Sequence, residues 1–301
     1  MIRVMVTGAG GQVGAETVRA LAGRADVVAH DRSTLDLCDA SQIAARIRDA
    51  RPAVIVNAAA YTAVDRAESE PGLARAVNAV APGILAAEAK AIGALLVHFS
   101  TDYVFDGTKR EPYVEGDATA PLGVYGQTKL EGERAVAQSG CAHLVLRTAW
   151  VYGPTGRNFM LTMLRLADKG GPIRVVSDQR GAPTTSTQIA RAVAALLGGA
   201  SIGAGAVDRL KSASGLYHAT AAGETTWHGF ATAIFEERAR ASGGAFAAPP
   251  VTAITTAEYP TPAKRPAYSV LSSAKLERTF GVRLGGWREG LVEALSALAG
   301  S

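Results

Sequence analysis

The first half of the chain alternates short apolar runs with longer stretches in which apolar residues recur at helical spacing. Each short run has the length of one buried strand, and each longer stretch has the length of a helix that covers a sheet. The pattern therefore predicts strands over 2–6, 27–30, 54–57, 95–99 and 144–146, and helices over 12–21, 41–50, 73–92 and 125–138.

Strands that are apolar along most of their length and alternate with helices indicate a parallel sheet covered on both faces. Right-handed crossovers then give a doubly wound, Rossmann-type α/β sheet. After about Trp150 the rhythm changes and glycine and proline become frequent, although a strand over 173–176 and a helix over 185–197 are still predicted. We predict a dinucleotide-binding domain over 1–150, to which about 173–200 returns, and a smaller mixed α/β C-terminal lobe for substrate, built from non-contiguous pieces of 151–301.

Composition and charge narrow the classes of function. The chain has 301 residues, 48% of them hydrophobic, and a net charge of +4 from scattered lysines and arginines. Because no basic run contains interleaved aromatic residues, we expect no nucleic-acid partner, whereas the mild positive excess suits an anionic small molecule. The N-terminus predicts a strand rather than a signal peptide, and no apolar stretch is long enough to span a bilayer. We expect a cytoplasmic protein with no membrane partner.

A glycine-rich turn follows the first predicted strand. Gly8, Gly11 and Gly14 have the spacing G-x-x-G-x-x-G and open the first predicted helix. Glycines at such a turn let a pyrophosphate approach the backbone, and the free N–H groups and dipole of the helix N-terminus favour its negative charge. We therefore predict a dinucleotide site at this turn.

The end of the second predicted strand carries opposite signals for the choice of cofactor. An acid such as Asp31 accepts hydrogen bonds from the adenosine ribose and favours NADH, whereas Arg32 could hold the 2′-phosphate of NADPH. Both cofactors therefore remain open. Asp36 and Leu37 are placed to approach the adenine, and the small side chains of 58–60 would let a cofactor lie against the backbone.

A hydroxyl, a phenol and an ammonium supply the candidate chemistry. Tyr125 and Lys129 lie four residues apart on a predicted helix, so they share one face. An ammonium beside the phenol is expected to lower the pKa of Tyr125 and make it a better proton relay near neutral pH. Thr101, just beyond the fourth strand, is placed to hydrogen-bond both the tyrosine and a substrate oxygen. These groups predict a reductase that moves a hydride from a nicotinamide to a carbonyl.

The order of these motifs resembles that of the extended short-chain dehydrogenase/reductases. Longer strings resemble one family among them, the dTDP-4-dehydrorhamnose reductases, over nearly the whole chain: TGAGGQVG, VIVNAAAYTAVDRAESEP, HFSTDYVFDG, PLGVYGQTKLEGE, LRTAWVYG, DQRGAPT, GLYHATAAGETTW and YPTPAKRP. Members of that family reduce the 4-keto group of dTDP-4-dehydro-6-deoxy-L-mannose to dTDP-L-rhamnose, a precursor of cell-surface polysaccharides. The resemblance therefore implies a dTDP-sugar substrate and an NADPH or NADH cofactor.

The resemblance also implies a role for each candidate residue. It makes Tyr125 the proton donor and Lys129 its partner. The other implied contacts are Gly11, Gln12 and Val13 at the pyrophosphate, Asp31, Asp36 and Leu37 around the adenosine, Ala60, Tyr61, Thr62 and the Phe99 backbone beside the nicotinamide, and Thr101, Asp102 and Trp150 at the deoxysugar.

Four further side chains are assigned on physical grounds. An indole such as that of Trp150 can lie against the apolar face of a sugar, whereas Trp227 is expected to pack a helix of the small lobe. Lys264 and Arg265 are our candidates for the diphosphate of the substrate, since two fixed cations suit two phosphates. A solvated loop is the alternative for these two cations.

Metal binding and assembly follow from the resemblance. Some members of that family are magnesium-dependent dimers with acidic residues near the interface, so a homodimer stays open. Glu16 could match one such carboxylate, but no acid lies around Thr187, where a second is expected. We therefore predict no metal ligands, and a bound Mg²⁺ would have a structural role only.

Two other functions stay open at this point. One is a ketoreductase that acts on another dTDP-4-keto-6-deoxysugar, because pocket shape sets stereochemistry. The other is a regulatory subunit that resembles the beta subunit of methionine adenosyltransferase, which shares this fold and binds the cofactor without clear turnover. The presence of Thr101, Tyr125, Lys129 and Trp150 favours catalysis.

Overall fold

The computed structural model describes residues 1–199, 202–243 and 245–299. The predicted elements are present, most of them within one or two residues of their expected ends. The strands are β1 (Arg3–Thr7), β2 (Asp26–His30), β3 (Val54–Asn57), β4 (Leu95–Thr101), β5 (His143–Thr148), β6 (Val151–Tyr152), β7 (Ile173–Val176), β8 (Arg180–Gly181), β9 (Thr184–Thr185), β10 (Gly215–His218), β11 (Thr225–Thr226) and β12 (Val251–Ile254). The α-helices are α1 (Gln12–Leu21), α2 (Ala40–Ala50), α3 (Val64–Ala67), α4 (Pro71–Arg75), α5 (Ala81–Ile92), α6 (Val124–Gln138), α7 (Phe159–Lys169), α8 (Ser186–Leu196), α9 (Ala204–Ser212), α10 (Trp227–Ala241), α11 (Ala274–Phe280) and α12 (Trp287–Ala299).

The central sheet contains six strands in the order β10-β5-β4-β3-β1-β2, and each neighbouring pair is parallel. The chain leaves β1 for β2 on one side and then crosses to β3 on the other side. The strand order therefore reverses beside β1, which is where ligands bind in doubly wound sheets. The predicted doubly wound parallel sheet is confirmed.

Helices cover both faces of this sheet, which explains why its strands are apolar along their length. On one face, Val4 and Val6 pack in a core with Ile189 of α8. On the other face, Met5 packs with Ile43 of α2 and Leu85 of α5. Successive residues of a strand point to opposite faces, so both sets of positions must be apolar.

Some segments from the second half of the chain pack on the central sheet, and others form a separate small sheet. Helix α8 packs against α1, and β10 pairs with β5 at the edge of the central sheet. Strand β7, in contrast, pairs with β12 in a separate small sheet. Around it lies a second core that contains Tyr152, Phe230 and Leu291. None of the helices in the described ranges has the length and apolar content needed to cross a bilayer.

The long helix predicted over 73–92 is divided by a wide turn. Ala76–Val80 forms a π-helical segment between α4 and α5. Pro82 has no N–H to offer the carbonyl of Asn78, so an ordinary α-helical turn would lose a hydrogen bond there. The segment contains Asn78, which is fully buried.

Candidate active site

A cleft of about 1080 Å³ runs along the carboxyl ends of the central strands. It extends without interruption from the glycine turn after β1 to Tyr125 on α6 and Trp150 after β5. Most of the residues predicted from the sequence line it: Gly8, Gly11, Gln12, Val13, Asp31, Arg32, Asp36, Leu37, Ala60, Tyr61, Thr62, Phe99, Thr101, Asp102, Tyr125, Lys129 and Trp150. Gly14, Lys264 and Arg265 do not line this cleft.

The glycine turn fits a dinucleotide pyrophosphate. Helix α1 starts after Gly11 without a side-chain cap, so N–H groups of its first turn remain available to an anion. Gly14 lies behind the turn, where a Cβ would overlap the carbonyl oxygen of Gly8. Gly14 therefore lets the helix approach the strand closely, although it does not face the cleft.

The end of the cleft that was predicted to hold the adenosine presents a carboxylate with hydrogen-bond partners, that of Asp31, and a guanidinium without an ion-pair partner among the described residues, that of Arg32. Oδ1 of Asp31 accepts hydrogen bonds from the backbone N–H of Ser33 (2.9 Å) and of Thr34 (3.1 Å) and from the Ser33 hydroxyl (2.6 Å). These bonds lower the pKa of Asp31. Arg32 is exposed, lines the cleft and forms no ion pair with another described residue. This end therefore offers a cation to an anionic group.

The backbone at Tyr61 is held by a buried amide. The Tyr61 N–H donates to Oδ1 of Asn78 (2.8 Å), and Nδ2 of Asn78 donates to the Tyr61 carbonyl (3.0 Å). The Tyr61 hydroxyl in turn donates to Glu70. The wide turn that contains Asn78 thus fixes the segment that carries Ala60, Tyr61 and Thr62 along the cleft.

Burial, rather than the nearby lysine, dominates the acidity of Tyr125. Burial raises the pKa of Tyr125 to about 12, while an interaction with the Thr101 hydroxyl opposes the rise. The direction is opposite to the lowering expected from Lys129, which is not among the groups that shift the pKa of Tyr125. At neutral pH the phenol therefore keeps its proton.

Lys129 is almost fully buried and is held by groups of β4. Its Nζ donates to the Phe99 carbonyl (2.6 Å) and lies 3.5 Å from Nε2 of His98. Nδ1 of His98 contacts Nδ2 of Asn57 (3.0 Å), whose Oδ1 accepts from the Thr7 hydroxyl (2.7 Å). Burial lowers the pKa of Lys129 to about 8, and the carboxylate of Glu133 opposes this shift. A chain of polar groups across the sheet thus positions the amine.

Thr101 and Asp102 form a buried pair at the end of β4. The Thr101 hydroxyl donates to Oδ1 of Asp102 (3.0 Å) and accepts from the backbone N–H of Tyr103 (3.1 Å). Burial raises the pKa of Asp102 to about 7, with hydrogen bonds from Ser269 and Thr101 opposing the rise. The pair therefore offers hydroxyl and carboxyl groups to a polar ligand in the cleft.

Trp150 stacks on Trp227, and both indoles line the cleft. Their ring centroids are 3.5 Å apart and their planes differ by 2°. Trp150 has φ of +46°, a backbone conformation that bulky residues rarely adopt. The sequence predicted only that Trp227 packs a helix. Trp227 does begin α10, but it also lines the cleft.

The two cations proposed for the diphosphate occupy other places. Arg265 forms an ion pair with Asp65 of α3, with Nη2 to Oδ2 at 2.8 Å, and also donates to the Thr261 hydroxyl. It is therefore committed to a contact within the protein, which the candidate role had not anticipated. Lys264 is exposed and lines a small neighbouring pocket that it shares with Tyr103 and Tyr125.

Sequence reasoning missed His98, Asn78 and Trp227 as parts of the site. His98 and Asn78 are fully buried. His98 lies two residues before Ser100, the start of the STD segment, so the alternation of side chains along β4 could have placed it beside Lys129. No motif near Asn78 or Trp227 indicated a role in the site, since each contacts a residue that is distant in sequence: Asn78 contacts Tyr61, and Trp227 contacts Trp150.

Glu16, the candidate metal-binding carboxylate, pairs with Arg19, with Nη1 to Oε1 at 2.8 Å. Within the described ranges, no three acidic, histidine or cysteine side chains come together in a way that could hold a metal ion.

Comparison with known proteins agrees with this geometry. The model of the RmlD substrate binding domain matches residues 2–299. A dTDP-4-dehydrorhamnose reductase of Burkholderia thailandensis is 48% identical over 95% of this chain and 96% of its own. A probable dTDP-4,6-dihydroxy-2-methyloxan-3-one 4-ketoreductase of Streptomyces antibioticus is 41% identical over 97% of this chain and 94% of its own.

Among solved structures, the dTDP-4-dehydrorhamnose reductase of Bacillus anthracis in complex with NADP superposes with a TM-score of 0.89. It is 33% identical, and the match covers 98% of this chain and 99% of that one. Because the family model and these relatives span nearly the whole chain, including the segments that line the cleft, the chain belongs to the RmlD substrate-binding family, that of the dTDP-4-dehydrorhamnose reductases.

Proposed function

We propose that this protein reduces the 4-keto group of dTDP-4-dehydro-6-deoxy-L-mannose to dTDP-L-rhamnose, with NADPH or NADH as the reductant. The observation that carries the proposal is the continuous cleft, which joins the glycine turn to Thr101, Tyr125 and Lys129. Similar proteins named for this reaction, and a similar structure that binds NADP, support the substrate and the cofactor.

The side chains around the cleft have distinct tasks in this reaction. The nicotinamide supplies the hydride when the cofactor is bound. Tyr125, protonated at neutral pH, donates its proton to the oxygen that becomes an alkoxide. With the sugar bound, the Thr101 hydroxyl turns its single O–H from Asp102 to that oxygen and stabilises its negative charge. Lys129, held by Phe99 and His98, supplies a positive charge that favours the tyrosinate left behind.

The ends of the cleft bind the rest of the two ligands. The first turn of α1 and Gln12 would hold the pyrophosphate, and Asp31, Arg32, Asp36 and Leu37 would surround the adenosine. Trp150 and Asp102 would contact the deoxysugar. Lys264 stays a candidate for the substrate diphosphate, because its pocket adjoins Tyr125.

A coupled assay tests the proposal directly. The 4-keto sugar is generated from dTDP-glucose with a 4,6-dehydratase and a 3,5-epimerase, and oxidation of NADPH and of NADH is followed in parallel at 340 nm. We expect oxidation that requires both upstream enzymes, with dTDP-L-rhamnose as product. Binding of NADPH without oxidation of either cofactor would contradict the proposal.

A second candidate is a ketoreductase for another dTDP-4-keto-6-deoxysugar. The Streptomyces relative supports it, because its identity to this chain is close to that of proteins named as rhamnose-pathway reductases. In the same assay, oxidation that persists when the epimerase is omitted would favour this function. The product, identified by NMR of the sugar, would then define the substrate.

Three further properties belong to this proposal. We assign 1–150 and the segments that return to the central sheet to cofactor binding, and the remainder of 151–301 mainly to the sugar. We expect the protein to work in the cytoplasm, where its two free thiols, Cys38 and Cys141, would stay reduced. We also propose a homodimer by similarity to members of the family, which light scattering of the purified protein would test.

A further inference from the structure

Trp150 carries two unfavourable features at once, and neither is explained by its own segment. Its φ of +46° lies in the left-handed region, which costs a bulky residue free energy. Its indole lies almost directly over that of Trp227, since a centroid separation of 3.5 Å leaves little lateral offset. Ring quadrupoles favour offset or edge-to-face pairs over this arrangement. Surrounding contacts must therefore hold the indole in place.

The structure supplies those contacts from one short region of the small lobe. A Cβ at Gly181 would overlap Cε2 and Nε1 of the Trp150 indole, so the absence of a side chain at Gly181 makes room for the ring edge. Gly181 pairs with Thr225 in the β8–β11 ladder, directly before Trp227. The indole edge and one indole face are thus covered by neighbouring elements that are hydrogen-bonded to each other.

Trp227 is itself fixed on several sides. Its Nε1–H donates to Oε1 of Gln179 (3.2 Å), and Nε2 of Gln179 donates to the Thr256 hydroxyl (3.0 Å). The ring of Phe159 packs against it with a centroid distance of 4.7 Å. The Thr226 hydroxyl caps α10 at the residue before it. Trp227 therefore provides a rigid surface for Trp150.

We infer that Trp227 is a positioning residue for the reduction: it holds the Trp150 indole, together with Gly181, as a fixed wall of the sugar subsite. Both indoles line the cleft, so Trp150 presents there the surface that Trp227 and Gly181 leave uncovered. A 6-deoxyhexose has an apolar methyl group and apolar ring hydrogens that such a surface can contact. A wall that cannot rotate fixes which face of the carbonyl meets the hydride. This inference rests on the proposed function.

Kinetics of matched variants test the role of Trp227. Trp227→Leu is expected to lower kcat/KM for the dTDP-4-keto sugar about tenfold, because the Trp150 indole loses the surface that holds it against the sugar. The KM for NADPH should stay within about twofold, because the pyrophosphate and adenosine contacts lie elsewhere in the cleft. Trp227→Phe keeps a ring and should recover part of the loss. Gly181→Ala, which intrudes on the indole edge, should reproduce the loss without touching Trp227.

Trp287 provides the control, since it is the third tryptophan of the chain and does not line the cleft. It packs edge-to-face on Phe230 in the core of the small lobe. Trp287→Phe should leave both kinetic constants near those of the wild type, even where it lowers Tm. An equal loss of sugar kcat/KM in Trp287→Phe and Trp227→Leu would show that Trp227 acts only through stability and would overturn the inference.

Circular dichroism gives a readout that does not depend on turnover. Two stacked indoles whose transition moments are rotated relative to each other couple electronically, and we expect the wild-type protein to show the resulting pair of far-ultraviolet bands of opposite sign. The pair should be absent from Trp150→Phe and Trp227→Phe and present in Trp287→Phe. Retention of the bands in Trp227→Phe, or wild-type kinetics in Trp227→Leu, would overturn the inference. An inactive wild-type protein that shows the bands would instead contradict the proposed function.

Discussion

At the reacting centre, burial shifts each ionisable side chain toward its neutral form. The pKa of Tyr125 rises to about 12 and that of Asp102 to about 7, while that of Lys129 falls to about 8. A phenol that keeps its proton is the correct starting state for a proton donor, so a lowered pKa is not needed before the hydride moves. The ammonium matters later, when negative charge develops on the phenol oxygen.

Removal of the Tyr125 hydroxyl should stop the reaction without preventing cofactor binding. We expect Tyr125→Phe to lower kcat by about 10²–10⁴-fold, the usual contribution of a positioned proton donor. The Kd for NADPH, measured by fluorescence titration, should change little, since the turn after β1 is untouched. Tyr217→Phe, which removes a buried hydroxyl bonded to Ala213 outside the cleft, is the control. Wild-type kcat in Tyr125→Phe would exclude it as donor.

Asp102 should cost the protein stability at alkaline pH. The pKa of Asp102 is raised in the folded state. The free energy of unfolding therefore includes a favourable contribution from protonated Asp102 at low pH, and this contribution is lost as the pH rises from about 4 through about 7. Asn at this position cannot ionise and keeps most of the shape. We expect Asp102→Asn to melt several degrees above the wild type at pH 8 and near it at pH 4. Equal differences at both pH values would show that Asp102 is not protonated when buried.

At the scale of elements, the junction between β1 and α1 depends on close approach. A Cβ at Gly14 would overlap the Gly8 carbonyl oxygen, so α1 would have to move away from the turn. We expect Gly14→Ala to weaken NADPH binding at least about tenfold and to lower Tm, as overpacking costs about 1–3 kcal/mol. Gly116→Ala, which meets nothing within 4 Å, is the control. NADPH binding like that of the wild type in Gly14→Ala would contradict this account.

The elements of the sheet could be predicted from the sequence because their determinants are local. Val4, Met5 and Val6 are apolar on both faces of one short run, and Gly8, Gly11 and Gly14 mark the turn that follows. The wide turn over 76–80 was missed, since Pro82 alone does not distinguish a kink from a break. The two hydrogen bonds between Asn78 and the Tyr61 backbone depend on where this turn places Asn78, and the sequence does not indicate that position.

The parts of the site that could not be predicted depend on distant segments. Trp150 and Trp227 lie far apart in the sequence, and nothing near either residue indicates the other. The acidity of Tyr125 is set by everything that covers it, whereas spacing on a helix reports only Lys129. The motifs were therefore sufficient to predict which residues line the cleft. The protonation states of these residues, and the side chains that hold them in position, could be determined only from the whole structure.

At the scale of the molecule, Arg265 joins the C-terminal part to the first half of the chain. Its guanidinium bonds both carboxylate oxygens of Asp65, and it belongs to the 259–266 segment rather than to the cleft wall. We expect Arg265→Met to lower Tm by a few degrees, because the pair is partly exposed, and to change the KM for the dTDP-sugar less than about twofold. A large rise in KM with unchanged Tm would instead make Arg265 a ligand of the diphosphate.

Lys264→Met is the matched comparison for this test. Lys264 is exposed and adjoins the pocket beside Tyr125, so its loss should leave Tm unchanged. A rise in the sugar KM in this variant alone would assign the diphosphate to Lys264. The two variants therefore separate a contact that joins parts of the fold from one that meets the substrate.

The position of β10 has a consequence for how the protein is made. Residues 215–218 complete the central sheet beside β5, which emerges from the ribosome some seventy residues earlier. Until then Leu144, Val145 and Leu146 belong to an open sheet edge, and an apolar open edge invites pairing with other chains. A fragment that ends near residue 150 would keep that edge permanently. We therefore expect translational pauses within this interval to favour aggregation of the nascent chain.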